Sequence, residues 1–177
     1  FILLIAMNAC IAGSLVEFKT NLGDFTVELE NEKAPKTTEN FLQYVQSGFY
    51  KETIFHRVIN GFMIQGGGFT KDMQQKSTNA PIALETNPQL KNIAYSIAMA
   101  RTANPQSATS QFFINVVDNP NLDAPKPDGY GYAVFGKVTQ GTDTIDKIKK
   151  VVTTRMGYYS DVPVNPIIIK DVILKKQ

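Results

Sequence analysis

The stretch FHRVINGFMIQGGGF, residues 55–69, sets the chain's single histidine, His56, beside Arg57 in a run that is otherwise apolar, amide or glycine. A strand serving only to pack would carry no cation on its buried side, so Arg57 is the first candidate for chemistry. One histidine and one distant cysteine, Cys10, do not make the ligand set of a zinc or iron centre. No Gly-x-Ser-x-Gly elbow accompanies His56, so nucleophilic hydrolysis has little support. Gln65-Gly66-Gly67-Gly68-Phe69 lacks the Lys-Ser/Thr ending of a phosphate loop, and no Gly-x-Gly-x-x-Gly run opens a helix. The three adjacent glycines read instead as a tight backbone bend or a close approach between chain and ligand. What remains is a set of donors among apolar groups. In an extended segment Met63 and Gln65 project to one side, and so do Gln111, Phe113 and Asn115. Amides that bond a main chain, beside a methionine and a phenylalanine that enclose a compact side chain, suit an extended peptide.

Such groups need a rigid sheet to hold them. LVEFKT and DFTVELE flank an Asn/Gly turn, and Phe25, Val27 and Leu29 alternate with Asp24, Thr26, Glu28 and Glu30, which predicts a half-buried hairpin. Residues 34–48 switch to a helical period: Phe41, Leu42, Tyr44 and Val45 share a face, Pro35 suits the first turn and Gly48 the stop. Further strands are predicted in TIFHRV, GFMIQ, AYSIAMA, SQFFINVV, YAVFGKV and PIIIKDVILK. A second helix is predicted in GTDTIDKIKKVV, with Thr142 as its cap and Ile145, Ile148 and Val152 on one face. Many short strands with two helices predict a mainly β fold, a closed antiparallel barrel whose ends the helices cover. At 177 residues and 43% hydrophobic content, one core and one domain are expected, with no repeat or linker dividing the chain. Eighteen Lys and Arg against sixteen Asp and Glu, spread along the chain, leave no basic face for nucleic acid.

Residues 1–13, FILLIAMNACIAG, carry no charge and end in small residues. They read as a truncated secretory signal cleaved after Ala12, with 14–177 as the mature domain and the bacterial periplasm as the expected compartment. The run is shorter than the about 20 apolar residues that span a bilayer. Lipid anchoring through Cys10, retention in the cytoplasm, and a buried N-terminal strand are the alternatives. Loss of Cys10 leaves the mature domain without an internal disulfide.

FHRVINGFMIQGGGF, SIAMARTANPQSATSQFFINVVDN and GYGYAVFGKV, in that order, strongly resemble the cyclophilins, the peptidyl-prolyl cis-trans isomerases, and among them the bacterial periplasmic and cytoplasmic types. The likeness runs from about residue 15 to 174. It implies a closed eight-stranded antiparallel β-barrel capped by two helices, no cofactor and no metal. It also implies proline-containing unfolded or nascent polypeptides as partners; a monomer is expected. Carried over position by position, the resemblance makes Arg57 the catalytic residue. Phe62, Met63, Phe113 and Leu122 become the proline pocket, Gln65, Ala100, Arg101 and Gln111 the main-chain contacts, and Tyr132 a further binding position. His56 takes a supporting role and no part in proton transfer. Arg101 stands where many eukaryotic members carry Asn, at a contact made largely through backbone. Before Leu122-Asp123 the family usually places an aromatic, whereas this chain has Asn121. A large apolar wall is thereby lost, which argues against binding of the macrocycle cyclosporin. The insert DAPKPDGYG makes the following loop long and proline-rich.

The implied reaction needs little chemistry from side chains. Rotating an X-Pro bond breaks amide resonance against a barrier near ~20 kcal/mol and takes roughly tens of seconds unaided. No bond is made or broken, in accord with a chain that offers neither nucleophile nor metal site. In the twisted transition state the proline nitrogen is pyramidal and its lone pair accepts a hydrogen bond, for which Arg57 is the donor. Such a bond contributes about 1.5–3 kcal/mol, while a rate gain of about a hundred thousand needs roughly 7 kcal/mol. Clamping of the proline ring by Phe113, Phe62 and Met63, with Gln65 and the Ala100–Arg101 backbone holding the preceding residue, supplies the rest. Two other readings stand beside it: a module that captures proline segments with little turnover, favoured by Asn121, and hydrolysis at His56.

Overall fold

The structure, a computed structural model, describes residues 13–176. Residues 1–12, and with them Cys10 and nearly all of the expected signal, lie outside the described residues. The strands are β1 (Leu15–Thr20), β2 (Gly23–Leu29), β3 (Thr53–Ile59), β4 (Met63–Thr70), β5 (Ser96–Met99), β6 (Phe112–Asn115), β7 (Val134–Gln140), β8 (Thr153–Met156), β9 (Tyr159–Pro163) and β10 (Ile168–Leu174). The helices are α1 (Pro35–Gln46) and α2 (Thr142–Ile148). Eight strands close an antiparallel barrel in the order β1-β10-β3-β4-β6-β5-β7-β2, as expected. β8 and β9 form a separate hairpin in a stretch where no strand is expected from the sequence.

The barrel closes around aromatic rings. On β1 the alternation sends Val16, Phe18 and Thr20 inward, and on β2 Phe25, Val27 and Leu29 meet them. Phe112 lies at the centre, 5.5 Å from the Phe18 ring, 5.6 Å from Tyr50 and 6.0 Å from Phe55. α1 seals one end with its predicted face: Phe41 packs edge-on to Phe112 at 5.9 Å, and Tyr44 and Val45 are buried beside it. Ala34 provides no side-chain cap for α1. A remote carboxylate does so instead, Glu85 accepting from the backbone N–H of Lys36 at 3.2 Å and of Thr37 at 2.8 Å.

α2 departs from expectation in two ways. Gly141, with φ 81, is the residue before its first turn, and Thr142 is already helical. The helix also stops at Ile148, leaving Val152 75% exposed rather than on the inner face with Ile145 and Ile148. The chain there turns into β8, where branched residues favour a strand.

Candidate active site

The site is built on the outer face of the β3-β4-β6-β5 wall. Register sets Arg57 opposite Gln65, Gln65 opposite Phe113, and Phe113 opposite Ala98. The four residues form one row across the sheet. With strands about 4.8 Å apart, Arg57 and Phe113 flank Gln65 at a backbone separation of roughly 10 Å. Phe112 and Phe113 are neighbours on β6 that point to opposite faces. Phe112 belongs to the interior, while Phe113, 4% exposed, packs outside with Met63, Ala98 and Val134. Phe62, Ala100, Leu122 and Tyr132 lean on that second cluster.

Arg57 reaches the row through a bulge. Phe55 pairs with Gly66 and Arg57 with Gln65, so β3 has one residue more than β4 over this interval. Phe55 and Val58, three positions apart, can then both face the interior while Arg57 turns outward. His56 is the extra residue. Its ring lies 4.4 Å from that of Phe69, it is 5% exposed, and its Nδ1 has no hydrogen-bond partner among the described residues. Burial first, then the neighbouring Arg57 charge, lowers its pKa to about 4.

Arg57 is half-buried, and among the described residues its guanidinium forms no ion pair and no hydrogen bond. With it, Phe62, Met63, Gln65, Ala100, Arg101, Phe113, Leu122 and Tyr132 line one cavity of about 100 Å³. Gln111 lies next door, in a cavity of about 340 Å³ shared with Gln65, Ala100 and Arg101. The two are tied by a 2.9 Å hydrogen bond from Gln65 Nε2 to Gln111 Oε1. The Ala100 N–H donates to the Gln111 carbonyl at 3.0 Å; among the described residues the Ala100 carbonyl and Arg101 N–H take no partner.

The glycines make room for this arrangement. A Cβ on Gly68 would stand 2.5 Å from Gln111 Cγ, and one on Gly67, at φ 85, would stand 2.7 Å from the Phe112 ring. Their close approach is to the protein's own chain.

Two residues behave differently from the sequence reading. Asn115 was expected beside Gln111 and Phe113 on a peptide-facing side. It is fully buried, donating to Asn92 Oδ1 at 3.1 Å and Ser96 Oγ at 2.9 Å and accepting from Asn119 Nδ2 at 2.8 Å. An amide next to apolar Met63 across the ladder is satisfied by internal bonds rather than by a ligand. Arg101 contributes more than backbone. Its side chain, 1% exposed, stacks 4.3 Å over the Tyr132 ring and pairs with Asp128 at 2.8 Å. Its guanidinium also donates to the Gly131 carbonyl at 2.7 Å. The only hint in the sequence was an acid inside the proline-rich insert. Tyr132 in turn stands edge-on to Phe113 at 5.7 Å, and Asn121 is exposed beside the pocket wall that Leu122 supplies.

Comparison with known proteins agrees with this architecture. The family model for cyclophilin type peptidyl-prolyl cis-trans isomerase/CLD matches residues 15–174. A peptidyl-prolyl cis-trans isomerase of Streptomyces antibioticus is 57% identical over 159 residues, covering 89% of this chain and 96% of that protein. Peptidyl-prolyl cis-trans isomerase B of Escherichia coli is 52% identical over 164 residues, covering 92% of this chain and 100% of that protein. The crystal structure of a cyclophilin type isomerase of Cryptosporidium parvum superposes with a TM-score of 0.77 at 31% identity, covering 93% of this chain and 98% of that one. A second crystal structure of that protein, in the presence of the dipeptide Ala-Pro, gives 0.77 at 32% identity, covering 92% and 99%.

Proposed function

The chain belongs to the cyclophilin-type peptidyl-prolyl cis-trans isomerases, and from that premise we propose that Arg57 is the donor that drives rotation of an X-Pro bond seated between it and Phe113. The activity is peptidyl-prolyl cis-trans isomerisation, and its substrates are proline-containing peptides. The observation that carries the assignment is a guanidinium without a partner among the described residues, directly across from Gln65, with the Phe113 ring on the far side. A guanidinium locked to a carboxylate would first have to break that pair; this one has its donors available.

The proline ring fits the small apolar cavity formed by Phe62, Met63, Phe113 and Leu122, which holds it still. Gln65, braced by Gln111, and the unpartnered main-chain groups of Ala100 and Arg101 hold the residue before it. Only the carbonyl between them turns. As the nitrogen leaves the amide plane, its lone pair becomes an acceptor within reach of Arg57. His56, uncharged at neutral pH by the depression to about 4, packs behind the strand and carries no proton for the reaction. Arg57→Ala lowers kcat/KM on a prolyl tetrapeptide by about a hundredfold or more. Near-normal turnover in that variant removes Arg57 from the mechanism.

Exposed Asn121 favours one second reading, capture of proline segments with poor turnover, because one wall of the pocket lacks an aromatic ring. Titration with a prolyl peptide beside the isomerisation assay separates the two. The same gap weakens cyclosporin, and the clients are unfolded or nascent chains engaged by a monomer, which sedimentation tests. Export to a bacterial periplasm is supported by the uncharged run 1–13; the mass of the mature N-terminus decides between cleavage after Ala12, lipidation at Cys10 and retention. Among the described residues no helix is long and apolar enough to cross a membrane.

A further inference from the structure

We propose that a lysine-lined groove leading away from the proline pocket past Tyr132 receives an acidic stretch of the client polypeptide on the C-terminal side of its proline. This inference rests on the isomerase reading above and adds to it a preference among substrates.

The groove has a volume of about 300 Å³, with Leu90, Tyr95 and Val134 along it and Lys33, Lys91 and Lys137 around it; Glu30 is its one carboxylate. None of the three lysines forms an ion pair among the described residues. Across the ladder Glu28 is the register partner of Lys137, yet the two make no salt bridge. Ile93, also on the groove, is 55% exposed. A phosphate or nucleic acid would leave exposed Ile93 and half-buried Leu90 and Tyr95 facing water, whereas a polypeptide with Asp or Glu among ordinary side chains covers them and meets the lysines.

Continuity with the catalytic pocket supplies the rest of the argument. Tyr132 walls both the proline pocket and a small intermediate cavity of about 70 Å³, and Leu90 and Lys91 wall both that cavity and the groove. Leu90 packs against the cluster beneath the proline pocket as well as against the barrel interior. The acid on the intermediate cavity, Asp123, is engaged: its Oδ1 accepts from the Asn92 N–H at 2.7 Å and from Asn92 Nδ2 at 3.0 Å. On the opposite side, where the residues before proline lie, the cavity shared by Gln65, Thr78, Ser107 and Gln111 has, among the described residues, no charged side chain but that of Arg101, whose guanidinium is held by Asp128 and Gly131. The charge is therefore one-sided: neutral upstream, cationic downstream. Acid placed downstream of proline gains from it, and acid placed upstream does not.

The test compares three labelled peptides sharing one Ala-Ala-Pro-Phe core: with a downstream Glu run, with a downstream Gln run, and with the Glu run moved upstream. Binding is read by fluorescence anisotropy. At low salt the downstream-Glu peptide binds about tenfold tighter than the other two, as expected for a few exposed charge contacts, and the advantage shrinks as salt is raised. The advantage disappears in the triple variant Lys33→Gln, Lys91→Gln, Lys137→Gln, and turns into a preference for a downstream Lys run in the corresponding triple Glu variant. Turnover of the plain tetrapeptide stays at the wild-type level in both, which also shows that they fold. Should a triple variant not fold, the single variants and the salt titration of the wild type carry the same comparison. Equal affinity for the three peptides overturns the groove, as does an advantage that survives removal of the lysines or appears with upstream Glu. If the wild type fails to turn over the tetrapeptide, it is the isomerase reading that has failed; the same peptides with Ala in place of Pro then test the groove alone by the same criteria.

Discussion

Arg101→Ala removes a guanidinium that fastens the 123–131 segment to the pocket wall. Its Nη2 and Nε donate to the Gly131 carbonyl at 2.7 and 3.3 Å, and its Nη1 to the Thr102 carbonyl at 2.9 Å. Nη2 also donates to the Asp128 carboxylate at 2.8 and 3.1 Å. Thr102 and Asp128 are exposed, so water takes over their bonds and neither decides the loss. Gly131 is buried, and leaving its carbonyl without a donor costs about 1–3 kcal/mol. The lost stacking on Tyr132 adds about 1 kcal/mol. The total of about 2–4 kcal/mol lowers the melting temperature by roughly 5–15 °C in a domain of this size. Tyr132 also loses the group behind it and with it a fixed edge against Phe113, so KM for a prolyl tetrapeptide rises several-fold. Turnover at saturation changes little, because Arg57 and the Arg101 main chain remain. Arg101→Lys keeps a charge without the planar fork and recovers part of both losses. Calorimetry and a protease-coupled isomerisation assay measure the two effects. A variant that melts with the wild type, or one that loses kcat while KM stays put, refutes this role for the side chain.

Gly68→Ala folds, because the displaced neighbour is the flexible Gln111 side chain. It breaks the Gln65–Gln111 bond, and KM for the tetrapeptide rises. Gly67→Ala instead loses stability on denaturant melts, since a side chain at φ 85 is strained and meets Phe112 and Tyr50, both buried. Acid lowers stability through His56. The folded protein holds the imidazole near 4 against 6.5 when unfolded, so the unfolded chain takes up a proton first as pH falls. This contribution is intact above about 6.5 and is lost by about pH 4, at most about 3 kcal/mol. His56→Phe flattens urea midpoints over that window, in which Asp128, held low by its hydrogen bond from Arg101, has not yet titrated. Equal slopes for the two proteins count against it. Asn121→Trp rebuilds the missing wall and tightens cyclosporin by about tenfold or more, from the apolar area a ring adds; unchanged inhibition means that position 121 is not part of the wall.

The elements were legible where period and burial coincide. Alternating Phe25, Val27 and Leu29 predicted β2, and the helical face of Phe41, Tyr44 and Val45 predicted α1, because each sequence period maps onto one buried face. The β8–β9 hairpin was not legible: its burial is confined to Val162 and Pro163 at one end, Tyr158 at its turn is fully exposed, and Met156 and Tyr159 are 44% and 41% exposed, so no alternating inward face marks it. The bulge at His56 was hidden for a related reason. One extra residue in β3 is defined only by what β4 places opposite, a long-range fact that a single strand does not carry. Without it, alternation would put Arg57 on the same face as Phe55. Asn115 looked like its neighbour Gln111 because both are amides at even spacing. Only the burial of Asn92 and Ser96 beside it distinguishes an internal network from a peptide contact.

That bulge also bears on the role proposed for Arg57. A guanidinium in the barrel interior would need a permanent carboxylate, and such a pair stays locked because parting it leaves an uncompensated buried charge. Turned outward by His56 onto a half-buried row, Arg57 is left without an ion pair among the described residues while water still reaches it. A seated peptide displaces that water, and a planar imide offers its nitrogen lone pair to resonance rather than to a donor. The displaced hydration is therefore not recovered in the ground state at that nitrogen. In the proposed role it is recovered as the bond twists and the lone pair localises, so the same guanidinium favours the transition state over either planar isomer. A carboxylate placed near Arg57 tests this directly, and Gln65 is the site for it, one strand across in register. Gln65→Glu brings an acid opposite the guanidinium, engages it in the resting state and lowers kcat well beyond the effect of Gln65→Ala, which only loses the hold on the preceding residue. If the two variants lose kcat equally, an available guanidinium is not what the twisted bond requires.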